Sequence, residues 1–219
     1  MRILKENVLQ DYPQLKTVYD FGKRKHDATG KIRMNSGLPY WVHPDMVAEV
    51  VAAYGGTDDE IAAALLHDTL EDTDTTAEEL ERLFGPDIAQ IVEEVTNFEL
   101  EVKRLGKEQY INKELLELSD SALLVKLADM YCNSLDKPKP GQAERMARNL
   151  NYLLDHADYI DDRCRRLIKS FPLMDDYDLD EPEFDTSLDD FEETPGTRLV
   201  SSRKIRRNKL SERRRRRRN

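Results

Sequence analysis

Up to about residue 173, apolar residues recur every three or four positions, and no stretch alternates long enough to read as a strand. The pattern predicts an all-α fold. Asp11 and Pro13 start a first helix, over about residues 12–26, whose stripe is Leu15, Val18, Tyr19 and Phe21. Met46, Val47, Val50, Val51 and Tyr54 mark a second, with Pro44 at its first position and Gly55-Gly56 at its end. Thr57 and Glu60 fit a capping box that opens a third helix, running through the Ala62–Leu66 block toward Asp72. Thr76 and Glu79 form a second such box, and Gly85-Pro86 divides two further helices. Residues 97–107 are polar and carry no assignment. Helical patterns resume at Tyr110–Leu118 and, after a Ser119 cap, at Ala122–Tyr131. Pro138, Pro140 and Gly141 read as a loop before the last helical stretches, which end at Phe171-Pro172.

Beyond this the composition changes. Residues 175–193 hold many acids and no base, whereas from Arg198 onward only Glu212 is acidic and the chain ends in Arg213–Arg218. A folded domain over 1–173 and a disordered charged tail over 174–219 are expected. The tail could bind nucleic acid through its arginines, fold back on itself, or stay solvated. The whole chain has 219 residues, 34 bases and 44 acids, for a net charge of −10. No run approaches the roughly 18 apolar residues of a membrane span, and Met1–Glu6 has no apolar signal core. Cys132 and Cys164 lack metal-type spacing, so buried, reduced thiols and a cytoplasmic location are expected.

Chemistry concentrates where charge interrupts apolar runs. In Ala62-Ala-Ala-Leu-Leu-His67-Asp68-Thr-Leu-Glu71-Asp72, a continuous helix would stack His67 with Glu71 and Asp68 with Asp72 on one face. Unpaired buried charges are costly, and a metal ion is the usual agent that compensates them. Two imidazoles and two carboxylates are on offer: His43 at a helix start, His67, Asp68, and Asp129 within Leu-Leu-Val-Lys-Leu-Ala-Asp. That set suits Mn²⁺ or Fe²⁺ better than a structural Zn²⁺. A bland alternative exists for Asp129, because Lys126 and Asn133 could place it on a solvated polar stripe.

The motifs in order are Gly37-Leu-Pro-Tyr followed by His43-Pro44, the His67-Asp68 to Asp72 stretch, Leu83-Phe84-Gly85, Val92-Glu-Glu-Val-Thr96, and Val125-Lys-Leu-Ala-Asp129 with Asn133. Together they resemble the HD hydrolase domain of the RelA/SpoT family, and most of all its stand-alone small alarmone hydrolases. The resemblance covers about residues 12–170 and implies a helical HD-domain bundle. It implies one Mn²⁺ on His43, His67, Asp68 and Asp129, with Glu71 and Asp72 activating water. Asn133, Arg33 and Lys31 are implied to contact the substrate, a guanosine alarmone whose 3′-pyrophosphate is removed. Met130 and Ser134-Leu135 stand where the family usually has bases, which keeps other nucleotides (an adenosine alarmone, NADPH, a dNTP) and a non-catalytic nucleotide sensor as alternatives. The family's synthetase domain has no counterpart here.

Overall fold

The apolar periodicity resolves into α-helices, seen in a computed structural model that describes residues 8–33, 36–97, 99–136 and 138–172. The 1–173 boundary and the expected tail over 174–219 lie outside the described residues. Two short 3-10 turns, Val8–Gln10 and Pro13–Leu15, lead into α1 (Lys16–Thr29). The helix starts later than the sequence pattern predicts because Pro13 opens a 3-10 turn, and it ends where Gly30 adopts φ 65°. Then follow α2 (Val42–Ala53), α3 (Asp58–Leu66), α4 (Thr69–Asp72), α5 (Ala77–Phe84), α6 (Pro86–Val95), α7 (Glu99–Leu105), α8 (Lys107–Glu117), α9 (Asp120–Leu135), α10 (Pro140–His156) and α11 (Asp162–Lys169). Among the described residues the only β pairing is an isolated bridge between Ile32 and Pro39. No helix of those residues is long and apolar enough to cross a membrane.

The centre of the bundle is α3. Every residue from Ile61 to Leu66 is at most 3% exposed, and α3 packs against α1, α2, α6 and α9. Its alanines allow close approach, and Gly22 of α1 completes that contact: a Cβ there would stand 2.9 Å from the Leu65 carbonyl oxygen. The Thr57 capping box forms in full, with Glu60 Oε2 accepting from the Thr57 N–H. The second box forms only by half. Thr76 caps Glu79 N–H, but Glu79 sends its carboxylate to Lys25 instead.

Three further expectations change. The polar segment after residue 97 folds as α7, an amphipathic helix of one and a half to two turns against α8. Pro140 and Gly141 begin α10 instead of forming a loop, since proline is tolerated at a first helical position. Pro44 is the third residue of α2, which begins at Val42. Cys132 and Cys164 are buried free thiols, as expected.

The change that matters most divides α3 from α4. The sequence pattern predicts one helix through Asp72, but the helix stops at Leu66 and His67-Asp68 form a turn. His67 Nδ1 takes the Ala64 carbonyl at 2.8 Å and Thr69 Oγ1 takes the Leu66 carbonyl at 2.7 Å. These are the acceptors a continuing helix would offer to the N–H groups of Asp68 and Leu70, so the side chains end it.

Candidate metal centre

Three segments meet at the open end of α3. Tyr40 and Trp41 turn the chain into α2, and the His43 N–H donates to the Tyr40 carbonyl at 3.0 Å, which fixes His43 at the helix entry. The turn after Leu66 presents His67 and Asp68. From the opposite side α9 presents Asp129, gripped by Asn133 one turn later through a 2.6 Å hydrogen bond from Nδ2 to Oδ1. Asp129 therefore faces the cluster, and the solvated-stripe alternative fails: Lys126 is buried and α9 packs on α2, α3 and α6.

The distances define one focus. His43 Nε2 lies 2.9 Å from Asp129 Oδ1, and His67 Nε2 lies 3.8 Å from the same oxygen. Asp68 Oδ2 stands 3.1 Å from His67 Nε2 and 3.9 Å from His43 Nε2, while accepting a 2.7 Å hydrogen bond from the Tyr40 hydroxyl. His43, His67 and Asp129 bring their ligand atoms within 4.8 Å of one another, a group able to hold a metal ion. The imidazoles are 3% and 4% exposed, the carboxylates 17% and 19%, so the histidines floor the site and the aspartates rim it.

Protonation states follow from the partners. A carbonyl only accepts, so the Ala64 contact fixes a proton on His67 Nδ1. Nε2 then faces the focus, buried and without an aligned hydrogen-bond partner although Asp68 is close. Burial works against a charged His67, but Asp68 and Asp129 outweigh it and hold its pKa up at about 9. Burial likewise opposes the Asp68 and Asp129 charges, yet His67 and His43 hold both carboxyls below the usual range. The cluster keeps a proton as its compensating cation. His43, His67 and Asp129 offer two nitrogens and a carboxylate that could hold a divalent ion here, which would displace that proton.

Glu71 and Asp72 lie on α4, beyond the turn, and the Asp72 N–H still donates to the Asp68 carbonyl one turn back at 2.9 Å. Glu71 Oε1 accepts from the Asn97 backbone N–H and from Asn97 Nδ2 at 2.8 Å. Burial pushes the Glu71 carboxyl up, the Asn97 bonds oppose this, and the Asp68 charge adds to the rise. Asp72 pairs with Lys31 at 2.6 Å. Arg33 reaches Asn133 Oδ1 at 3.0 Å and Asp136 at 2.8 Å, forming a chain from Asp129 through Asn133 and Arg33 to Asp136. Beside His43 a cavity of about 200 Å³ is lined by Arg33 and Asp136 at a polar edge and by Leu38, Val42, Met46 and Leu135 elsewhere.

Four polar residues of this region are absent from the sequence reading as site residues: Tyr40, Asn97, Asp136 and, in its buried role, Lys126. Lys126 had a signal, a lysine inside an apolar helix three residues before Asp129. Asn97 had none, because half of its contact with Glu71 is made by its backbone.

Comparisons with known proteins bear on the family of the chain. A family model for the HD domain matches residues 19–148. Human guanosine-3′,5′-bis(diphosphate) 3′-pyrophosphohydrolase MESH1 is 43% identical over 129 residues, covering 56% of this chain and 69% of that protein. A guanosine-3′,5′-bis(diphosphate) 3′-pyrophosphohydrolase from Aquifex aeolicus is 40% identical over 134 residues, 58% of this chain but only 19% of that protein. The chain thus spans about a fifth of the Aquifex relative's length. A solved structure of a metazoan ortholog of SpoT that hydrolyses ppGpp aligns with a TM-score of 0.57 and 25% identity, over 73% of this chain and 96% of that one.

Proposed function

We propose that this chain, which belongs to the HD-domain family, removes the 3′-pyrophosphate of (p)ppGpp with a Mn²⁺ ion held by His43, His67, Asp68 and Asp129. The observation that carries the reading is the buried His67 Nε2, turned by the Ala64 carbonyl toward two carboxylates and a second imidazole with no aligned partner of its own. Similarity to enzymes named for this reaction supports the substrate class.

When bound, such an ion supplies Lewis-acid polarisation of the phosphoryl group and makes water easier to deprotonate. The remaining work falls to the chain's own side chains. Glu71, its carboxyl raised by burial, takes the proton of the attacking water. A new O–P bond forms, the P–O3′ bond breaks, and the ribose 3′-oxygen leaves as a hydroxyl with the proton that Glu71 took, giving GDP or GTP and pyrophosphate. Asp72 is the second acid of the pair and is held by Lys31 until the substrate arrives. Lys31 and Arg33 turn from their carboxylate partners to the substrate's phosphates, and Asn133 steadies both Asp129 and the nucleotide. We assign this activity to a domain ending near residue 173 and to the cytoplasm, where nucleotides occur and thiols such as Cys132 and Cys164 stay reduced.

Met130 and Ser134-Leu135, where the family resemblance expects basic residues, favour a second reading in which the same site accepts another nucleotide. Both are decided by product analysis of the purified protein with Mn²⁺ against ppGpp, ppApp, NADPH and dNTPs, beside Glu71→Gln/Asp72→Asn. The expected result is pyrophosphate and GDP from ppGpp, reduced at least about a hundredfold in the double variant. Faster cleavage of another substrate selects the second reading, and an unimpaired double variant removes Glu71 and Asp72 from the mechanism.

A further inference from the structure

Helix α9 carries a lysine where packing calls for a hydrocarbon. Lys126 is 4% exposed, and its ammonium forms an ion pair with Glu114 on α8 at 3.1 Å and donates to the Val95 carbonyl at the end of α6 at 3.2 Å and to Asn97 Oδ1 at 3.4 Å. Joining α8 to α9 does not require this. A buried ion pair is commonly no more stabilising than apolar side chains of the same volume, so the charge calls for another reason.

That reason lies in Asn97. Its amide can sit in two orientations related by a flip, with oxygen and nitrogen exchanged. In the observed one Oδ1 meets Lys126 and Nδ2 donates to Glu71 Oε1, alongside the Asn97 backbone N–H. The flipped amide would set its oxygen against the Glu71 carboxylate and its N–H groups against an ammonium, which has no lone pair to accept them. A cation at residue 126 thus adds to the Glu71 carboxylate in enforcing the productive orientation, and holds it from the side away from Glu71. Both donors engage Oε1, so Oε2 is the oxygen left to take a proton.

We propose that Lys126 is a positioning residue for Glu71, acting through the amide of Asn97. The inference rests on Glu71 being the water-activating carboxylate of the proposed function. Its structural part, the coupling of Lys126 to the Asn97–Glu71 contact, does not depend on the substrate.

The test uses the full chain loaded with Mn²⁺. Lys126→Met alone leaves Glu114 buried without its partner and risks misfolding, so the informative variant is Lys126→Met/Glu114→Leu, which removes both charges at similar volume. It is expected to fold and to retain stoichiometric Mn²⁺. Its kcat on ppGpp should fall about tenfold with KM within about twofold, the pattern of a group that orients without binding substrate. The Asn97 amide, followed by hydrogen exchange, should exchange about tenfold faster than in the wild type. Asn97→Ala should reproduce the kcat loss, and combining it with the charge-pair variant should add little. Unchanged kcat with unchanged Asn97 exchange in the charge-pair variant overturns the proposal. If Glu71→Gln is itself fully active, the functional reading fails instead; the exchange of the Asn97 amide then decides alone whether Lys126 holds this contact.

Discussion

Two buried charged clusters flank α3, and they are built to opposite rules. At its N-terminal end Glu60 accepts from the Thr57 N–H and from both arms of Arg163, while Asp161 accepts from the Arg163 N–H and Nε. At its C-terminal end His67 Nε2 is buried with no aligned partner, and His43 Nε2 and two carboxylates crowd the same focus. The first cluster is closed by protein groups. The second is left open, although it is just as charged and more buried. Buried polar groups in native proteins are nearly always satisfied, so an open cluster at the end of the best-packed helix marks a place where something other than protein completes the bonding. Charge and burial do not by themselves distinguish a structural cluster from a ligand site; an unpartnered nitrogen that converges with a second imidazole and a carboxylate on one focus does.

This contrast can be broken most directly at His67. His67→Ala is expected to lose stoichiometric Mn²⁺, checked by elemental analysis, and to lower kcat/KM about 10⁴-fold while the chain keeps its helical circular dichroism. Retained metal would remove His67 from the ligand set and with it the difference between the clusters.

The closed cluster should respond the other way. Glu60→Gln strands Arg163, which keeps partial access to water at 24% side-chain exposure, so the cost is about 2–3 kcal/mol, below that of breaking a fully buried pair. A fall in melting temperature of about 5–10 °C with unchanged kcat/KM is expected. The sign of the pH dependence follows from the same contacts. Burial raises the Glu60 carboxyl, but the hydrogen bonds from Arg163 and the Thr57 N–H outweigh it, and the net value lies below the ordinary 4.5. A depressed carboxyl stabilises the fold above its unfolded pKa, and that stability is lost as pH falls through the folded one. Thermal melts between pH 6 and 3 should therefore show the wild type losing its advantage over Glu60→Gln on acidification; a constant gap would deny Glu60 this role.

The smallest effect sharpens the comparison. Tyr40→Phe removes one hydrogen bond from Asp68 and no ligand, so Mn²⁺ affinity should weaken about tenfold by titration calorimetry, with the melting temperature of the metal-free protein nearly unchanged. An unaltered affinity would mean that Asp68 needs no orientation.

The helical class and the ends of most helices were legible because they depend on local periodicity and on caps such as Thr57, Ser119 and Gly85. His43, His67, Asp68 and Asp129 stood out as polar residues within apolar runs. The break at His67-Asp68 was not legible: Ala-Leu-Leu-His-Asp-Thr-Leu keeps a helical period, and what ends the helix is the choice of carbonyl made by His67 and Thr69, reinforced by Tyr40, distant in sequence. Asp136 was invisible as a partner of Arg33 because 103 residues separate them. Sequence pattern reports which residues are unlikely to be solvated; it does not report which long-range bonds they make.

The uneven exposure of the four residues at the focus gives the site a direction. With both imidazoles sealed beneath and the carboxylates at the rim, an ion held there would meet solvent on the carboxylate side, and under the proposed function a nucleotide arriving after it would cover it. The proposed function therefore predicts ordered binding. A chelator should strip the ion readily from the resting protein and slowly once a nucleotide stands in the entrance.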